Sequence, residues 1–233
     1  MSILAIDTSG KVSGVAVATS GILRAEISVE CRLTHSETLM GHVAKVLELA
    51  KTKKTELAAI AVGIGPGSFT GLRIGLSTAK ALSYGLNIPL VGVPTLHSLA
   101  VHFYLFDGEL LLLTDAQKKN VYREVCRWEA GKLVTSIPLA VVPLKQALDD
   151  CAAGGKPTVI LGDGLKIPFM RELPSNAQIA PPALRLPRAA HIAWLGQQKL
   201  SRGQTDDPMT LEPLYLRRSE AEELWEKRHG DSD

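Results

Sequence analysis

Hydrophobic positions along this chain come in short alternating or continuous runs, then switch to a three-and-four spacing, and the whole sequence of changes occurs twice. Runs at Ile3–Asp7, Val12–Ala18 and Ile22–Val29 predict strands, and an amphipathic spacing predicts a helix over Ser36–Ala50. An apolar strand follows at Leu57–Ile64, then a glycine-rich loop and its helix, a strand at Leu90–Val93 and a helix near Thr95–Leu105. The order then repeats. Strands are predicted at Leu110–Asp115, Asn120–Trp128 and Lys132–Ile137, a helix at Leu144–Ala153, a strand at Thr158–Gly162 and a helix at Arg188–Ser201. Each half reads βββαβα. Three antiparallel strands followed by a helical crossover and a further strand form a mixed sheet flanked by helices, so two such units enclose a cleft. The predicted class is α/β, with one lobe over residues 1–105 and a second over 106–233.

The segment from Ala61 to Lys80 joins strand to helix through Gly63, Gly65, Pro66 and Gly67. It matches neither common nucleotide fingerprint. Thr70 stands where G-x-G-x-x-G needs its third glycine after Gly65, and no Gly-Lys-Ser/Thr follows. On the helix, Gly71, Gly75, Ala79 and Ser83 recur every four residues and form one stripe of small side chains. A helix-interior glycine costs roughly 0.8–1 kcal/mol relative to alanine, so two on one face imply a contact that side chains would obstruct. That contact is either the protein's own sheet or a partner's helix.

The first strand of each half ends in an aspartate, in Ile6-Asp7-Thr8-Ser9 and in Leu113-Thr114-Asp115-Ala116. Facing a cleft, Asp7, Thr8 and Ser9 could hold a nucleotide phosphate through N–H groups and hydroxyls, with Mg²⁺ or water bridging to the carboxylate. The alternative is a strand-to-turn signal in which these side chains satisfy local backbone groups.

Composition narrows the field. With 45% hydrophobic and 21% charged residues in 233, the chain should bury about 70% of its unfolded surface, as an ordinary globular protein. No basic leader precedes Asp7 and no apolar run reaches the length of a membrane span. Cys31, Cys126 and Cys151 are odd in number, widely spaced and in no C-x-x-C arrangement, so neither a disulfide framework nor a zinc site is indicated, and a reducing cytoplasm fits them best. The net charge of +2 includes an acidic tail, Ser219–Asp233, with six acids against Lys227 and Arg228, so the body is mildly basic. That falls short of a nucleic-acid footprint, and Lys51-Thr52-Lys53-Lys54 reads as a solvated helix end.

Several of these segments together resemble a known family. Leu4-Ala5-Ile6-Asp7-Thr8-Ser9, His35-Ser36-Glu37-Thr38-Leu39, Gly63–Lys80, Asp115-Ala116 with Val121-Tyr122, and Pro213-Leu214-Tyr215-Leu216-Arg217 are similar to TsaB proteins, also called YeaZ. The resemblance implies two ribonuclease-H-like lobes of the actin-like, Hsp70-like, sugar-kinase fold. It also implies a part in placing threonylcarbamoyl on the adenosine 3′ of the anticodon in tRNAs that read codons beginning with A. TsaD, the catalytic homologue, carries two metal-binding histidines one helical turn apart, and here Thr95 and Leu99 fall at those positions. His35, His42, His97 and His102 are expected as surface or capping residues.

The implied role is therefore that of a non-catalytic scaffold with no metal and no tightly bound cofactor. It would pair with a TsaD homologue or with a second copy of itself and engage a TsaE-type ATPase. It would meet tRNA only through that complex, and hold ATP or ADP with Mg²⁺ only weakly, at the complex interface. The resemblance assigns pairing to the helix after the glycine-rich loop, with Gly71, Gly75, Ala79 and Ser83 at the contact and Arg73 and Lys80 on its rim. Asp7, Thr8, Ser9 and Asp115 remain candidate nucleotide contacts. The alternative is a phosphotransferase or ATPase of the same superfamily. For that role the second half offers only Leu161-Gly162-Asp163-Gly164-Leu165 as an adenosine loop.

Overall fold

The computed structural model describes residues 1–30, 35–164 and 173–216. Cys31, Leu165, Arg217, the His35 side chain and the acidic segment with Leu224 and Trp225 lie outside the described residues.

In the first half, β1 (Ser2–Asp7), β2 (Val12–Thr19) and β3 (Ile22–Glu30) form an antiparallel meander, and α1 (His35–Leu49) follows. β4 (Leu57–Gly63) and β5 (Leu90–Val93) add in parallel on the other side of β1, separated by α2 (Phe69–Leu86), giving the order β3-β2-β1-β4-β5. β1 is buried along its whole length, because a central strand of a sheet covered on both faces has no solvent side.

After α3 (Thr95–Ala100) and a 3₁₀ turn at Val101–Phe103, the second half repeats the plan with β6 (Glu109–Asp115), β7 (Asn120–Glu129), β8 (Lys132–Pro143), α4 (Leu144–Gly154) and β9 (Thr158–Leu161). β10 (Ala177–Ile179) then pairs in parallel with β9, and α5 (Ala189–Ser201) closes the described helices. Read from β8, the second sheet runs β8-β7-β6-β9-β10, the same topology as the first. The predicted duplication is present.

Three departures from expectation bear on the architecture. β8 runs on to Pro143, beyond the Ile137 predicted, although Pro138 interrupts its sequence. A change of register between Arg123↔Ala140 and Val125↔Ile137 places Pro138 at a bulge on this edge strand, where a missing N–H breaks no ladder bond. β10 was not predicted, because three residues carry too little periodicity to register. The lobe division at 105/106 also fails for two helices. α5 packs on the first sheet, with Ile192 and Ala193 against Ile3, Ala5, Ala61 and Val93. α3 packs on the second, with Leu96, Leu99 and Ala100 against Leu110, Leu112 and Leu161. Each half lends its last helix to the other's sheet.

Candidate functional site

The end of β1 lies against the glycine loop and the start of α2. Ser68 caps α2, its hydroxyl accepting from Gly71 N–H at 3.3 Å, and Asn87 ends the helix in the left-handed region at φ 52°. Thr8 donates from its hydroxyl to the Gly71 carbonyl at 2.7 Å, and the Ser9 carbonyl accepts from Ser68 N–H at 2.6 Å. Cβ atoms on Gly67, Gly71 and Gly75 would overlap the Ser9 carbonyl, the Thr8 carbonyl and the Thr8 hydroxyl respectively. One on Gly63 would lie 2.6 Å from the Asp7 carboxylate. The glycines exist so that strand end and helix can touch.

This corrects two expectations. Gly71, Gly75, Ala79 and Ser83 are buried on the inward face of α2, where they meet the protein's own Thr8 and first core, so that stripe is not a partner surface. Ser83 spends its hydroxyl on the Ile88 carbonyl at 2.6 Å. Thr8 gives its hydroxyl to α2 and, with Asp7 and Ser9, is at most 5% exposed, so this strand end presents no open phosphate cradle. Asp7 accepts from Ser9 N–H at 3.1 Å. The Asp7–Ser9 bond is a local turn contact, whereas Thr8 reaches across to α2.

Of the six residues assigned to pairing, Arg73 and Lys80 remain outside the core. Arg73 is exposed. Its guanidinium stacks on Phe69 at 3.9 Å and donates to the Tyr215 hydroxyl at 3.0 Å, tying the C-terminal strap to the first turn of α2. The outward face of α2 carries a second small-residue series, Ser77, Ala81 and Gly85, beside Tyr84, which is 79% exposed. A Cβ on Gly85 meets nothing within 4 Å. The four-residue spacing of that series is present in the sequence, but with Gly85 as its one glycine it carries a weaker signal than the inward stripe.

In the second lobe, Asp115 accepts from Gln117 N–H at 2.9 Å, and its own N–H donates to Asp163 at 3.4 Å. Gln117, Lys118 and Lys119 are all left-handed, at φ 62°, 50° and 66°. Burial holds the Asp163 carboxyl above its ordinary range, and Lys11, in the β1–β2 turn, is near enough to oppose this electrostatically.

Of the histidines expected on the surface, His42, His97 and His102 are half-buried with partners. His97 donates to the buried Glu124 at 3.0 Å, His102 stacks edge-on against His191, and His42 lies 3.5 Å from the Ser13 hydroxyl. Thr95 accepts from Gly65 N–H at 3.1 Å and Leu99 is fully buried, so the pair does not fit a metal ion. Among the described residues, no group of three or more His, Cys, Asp or Glu side chains is placed to hold one. No described helix is long and apolar enough to cross a membrane.

Two matching five-stranded mixed sheets with shared helices define a two-lobed actin-like protein. The family model described as TsaD, tRNA N6-adenosine threonylcarbamoyltransferase, matches residues 29–225. The chain is 33% identical to the tRNA threonylcarbamoyladenosine biosynthesis protein TsaB of Bacillus subtilis strain 168 over 228 residues, 97% of this chain and 98% of the relative. It is 30% identical to TsaB of Escherichia coli K12, over 99% of both chains. A Pseudomonas aeruginosa crystal structure, described as similar to the peptidase YeaZ, superposes with a TM-score of 0.80 at 25% identity, covering 93% of this chain and 99% of that one. The chain belongs to the TsaB (YeaZ) family.

Proposed function

We propose that this chain takes part in threonylcarbamoyladenosine modification of tRNA as a non-catalytic partner that binds and activates a TsaD-type enzyme. The observation that carries the reading is the closed end of β1. Gly67, Gly71 and Gly75 seat the helix on Thr8 and Ser9, so the place where a kinase-like relative would cradle phosphate is filled by backbone. Thr95 and Leu99 support it, one hydroxyl being committed to Gly65 and the other side chain being alkyl. The phosphotransferase alternative needs that strand end open. ATP or ADP with Mg²⁺ is assigned instead to the interface with the partner, held weakly.

The partner surface we assign is the outward face of α2, with Ser77, Ala81, Gly85 and Tyr84 at its centre and Arg73 and Lys80 at its edge. Small residues let a second helix approach, and Tyr84 supplies an aromatic anchor. The same face serves a second copy of the chain, and a TsaE-type ATPase joins the heteromeric pair. tRNA meets the chain through that complex, in the cytoplasm.

Reconstitution tests the reading. The chain alone should leave tRNA unmodified, and adding it to a TsaD-type enzyme with a TsaE-type ATPase and a threonylcarbamoyl donor should switch modification on. A turnover of ATP by the isolated chain on the order of 1 s⁻¹, abolished by Asp7→Asn, would overturn it.

A further inference from the structure

Because each half lends its last helix to the other's sheet, α3 and α5 cross between the lobes, and what holds them there holds the lobes together. At the crossing, His191 of α5 donates from Nδ1 to the Ser98 carbonyl of α3 at 2.8 Å. Its ring meets that of His102, in the turn that continues α3, with centroids 4.2 Å apart and planes at 81°. His102 Nε2 is buried and has no hydrogen-bond partner among the described residues. From the second lobe, Trp128 of β7 donates from Nε1 to the Ala100 carbonyl at 2.9 Å, and Glu124 accepts from His97 at 3.0 Å and from Thr135 at 2.9 Å. The helix linking the lobes is thus gripped by α5 on one side and by β7 on the other.

We propose that this crossing is an interlobe lock governed by the His102–His191 pair: with both rings neutral the lobes move as one body, and a proton taken up by the pair frees α5 from α3. Both side chains are half-buried, and a positive charge there finds little compensation. Arg188, at the start of α5, faces the pair and repels a second positive charge, and either imidazolium would repel the other. Among the described residues, Glu26 of β3 is the carboxylate whose field favours protonation of both rings, and it is already bonded by the Arg188 side chain and by Ala190 N–H at 3.0 Å. On the β7 side of α3, the carboxylate of Glu124 is taken up by His97 and Thr135. His102 Nε2, once charged, would be a buried donor without an acceptor.

Burial, with Arg188 second, holds the His102 imidazole below its ordinary 6.5. Burial, then the neighbouring His102, pushes His191 down to about 4, against the opposing hydrogen bond to Ser98. The sign follows from proton linkage. A base whose pKa is depressed in the closed form binds its proton more tightly once released, so closure is complete above about pH 6.5 and is lost as pH falls toward 4. For one proton taken up, the opening constant rises about tenfold per pH unit in that interval.

The full chain in a Trp225→Phe background reports on the lock directly, because Trp128 and Trp194 lie 6.0 Å apart at the junction with Tyr104 beside both. On titration from pH 7 to 4.5, their fluorescence should change as the imidazole NMR signals of His102 and His191 titrate below pH 6, while amide protection in β1 and β4 persists. The double variant His102→Leu/His191→Asn, which keeps a donor for the Ser98 carbonyl, should lose that transition. Three results overturn the proposal: both histidines titrating near 6.5, the indole transition surviving in the double variant, or indole signal and core protection disappearing together. The last comparison needs only the two wild-type histidines, so it decides the matter even if the double variant does not fold.

Discussion

Thr8 determines what the glycines of α2 are for. Its hydroxyl binds the Gly71 carbonyl and occupies the space a Cβ on Gly75 would take, so Gly75→Ala should push the hydroxyl off its acceptor. We expect a loss of about 1–3 kcal/mol, read as a melting temperature lower by roughly 2–4 °C per kcal/mol. Thr8→Ala removes the colliding atom. In that background the same glycine substitution should cost little, because alanine is also the better helix former. A double-mutant cycle that comes out additive would show the contact to be unimportant. The sequence made the close approach legible, since glycines four apart specify a face. It could not say what lies on that face, because spacing carries no information about the partner backbone. Cys126 and Cys151 are simpler: both are buried, and burial raises both thiols, so they should resist alkylation in the native protein and react in denaturant. Mass mapping that finds either one modified under native conditions would contradict this.

At the level of elements, periodicity identified strands and helices well and their assignment to lobes less well. Neighbours in sequence are usually neighbours in space, and that rule assigned α5 to the second lobe. What decides its place is complementarity. Gly196 lets α5 sit close against Ala61 and Ile3, and the small residues on that side of the first sheet, Ala5, Ala18 and Ala59 among them, leave room for a helix. Ile3, Val91 and Val93 belong to the same face and would meet water without it. A fragment of residues 1–105 should therefore fail to fold as a unit, giving poorly dispersed amide NMR signals. A second fragment carrying residues 106–216 should restore dispersion on mixing. A well-dispersed spectrum from residues 1–105 alone would show that the first sheet does not depend on the exchanged helix.

Across the whole molecule, shared helices make the two lobes one body, and the outward face of α2 is backed by the first sheet, the core between them and a strap at 211–215 that comes from a distant part of the chain. Leu214 donates from its N–H to the Ile64 carbonyl at 2.8 Å and packs with Leu211 against the first core, and Tyr215 braces Arg73 beside Phe69. A surface held so firmly suits docking without rearrangement, where little conformational entropy is lost on binding. Ala81→Arg in the centre of that face puts bulk and charge where a partner helix should approach, yet touches nothing in the core, since Ala81 is exposed. The variant should melt within about 1 °C of the wild type, in keeping with the small effect of surface substitutions. Its affinity for a TsaD-type enzyme should fall at least tenfold, and self-association should weaken with it, both measured by light scattering and calorimetry. Gly75→Ala serves as the contrasting case: its folded fraction should bind normally, because that side chain points inward. If Ala81→Arg binds like the wild type while Gly75→Ala does not, the outward face of α2 is not the docking surface.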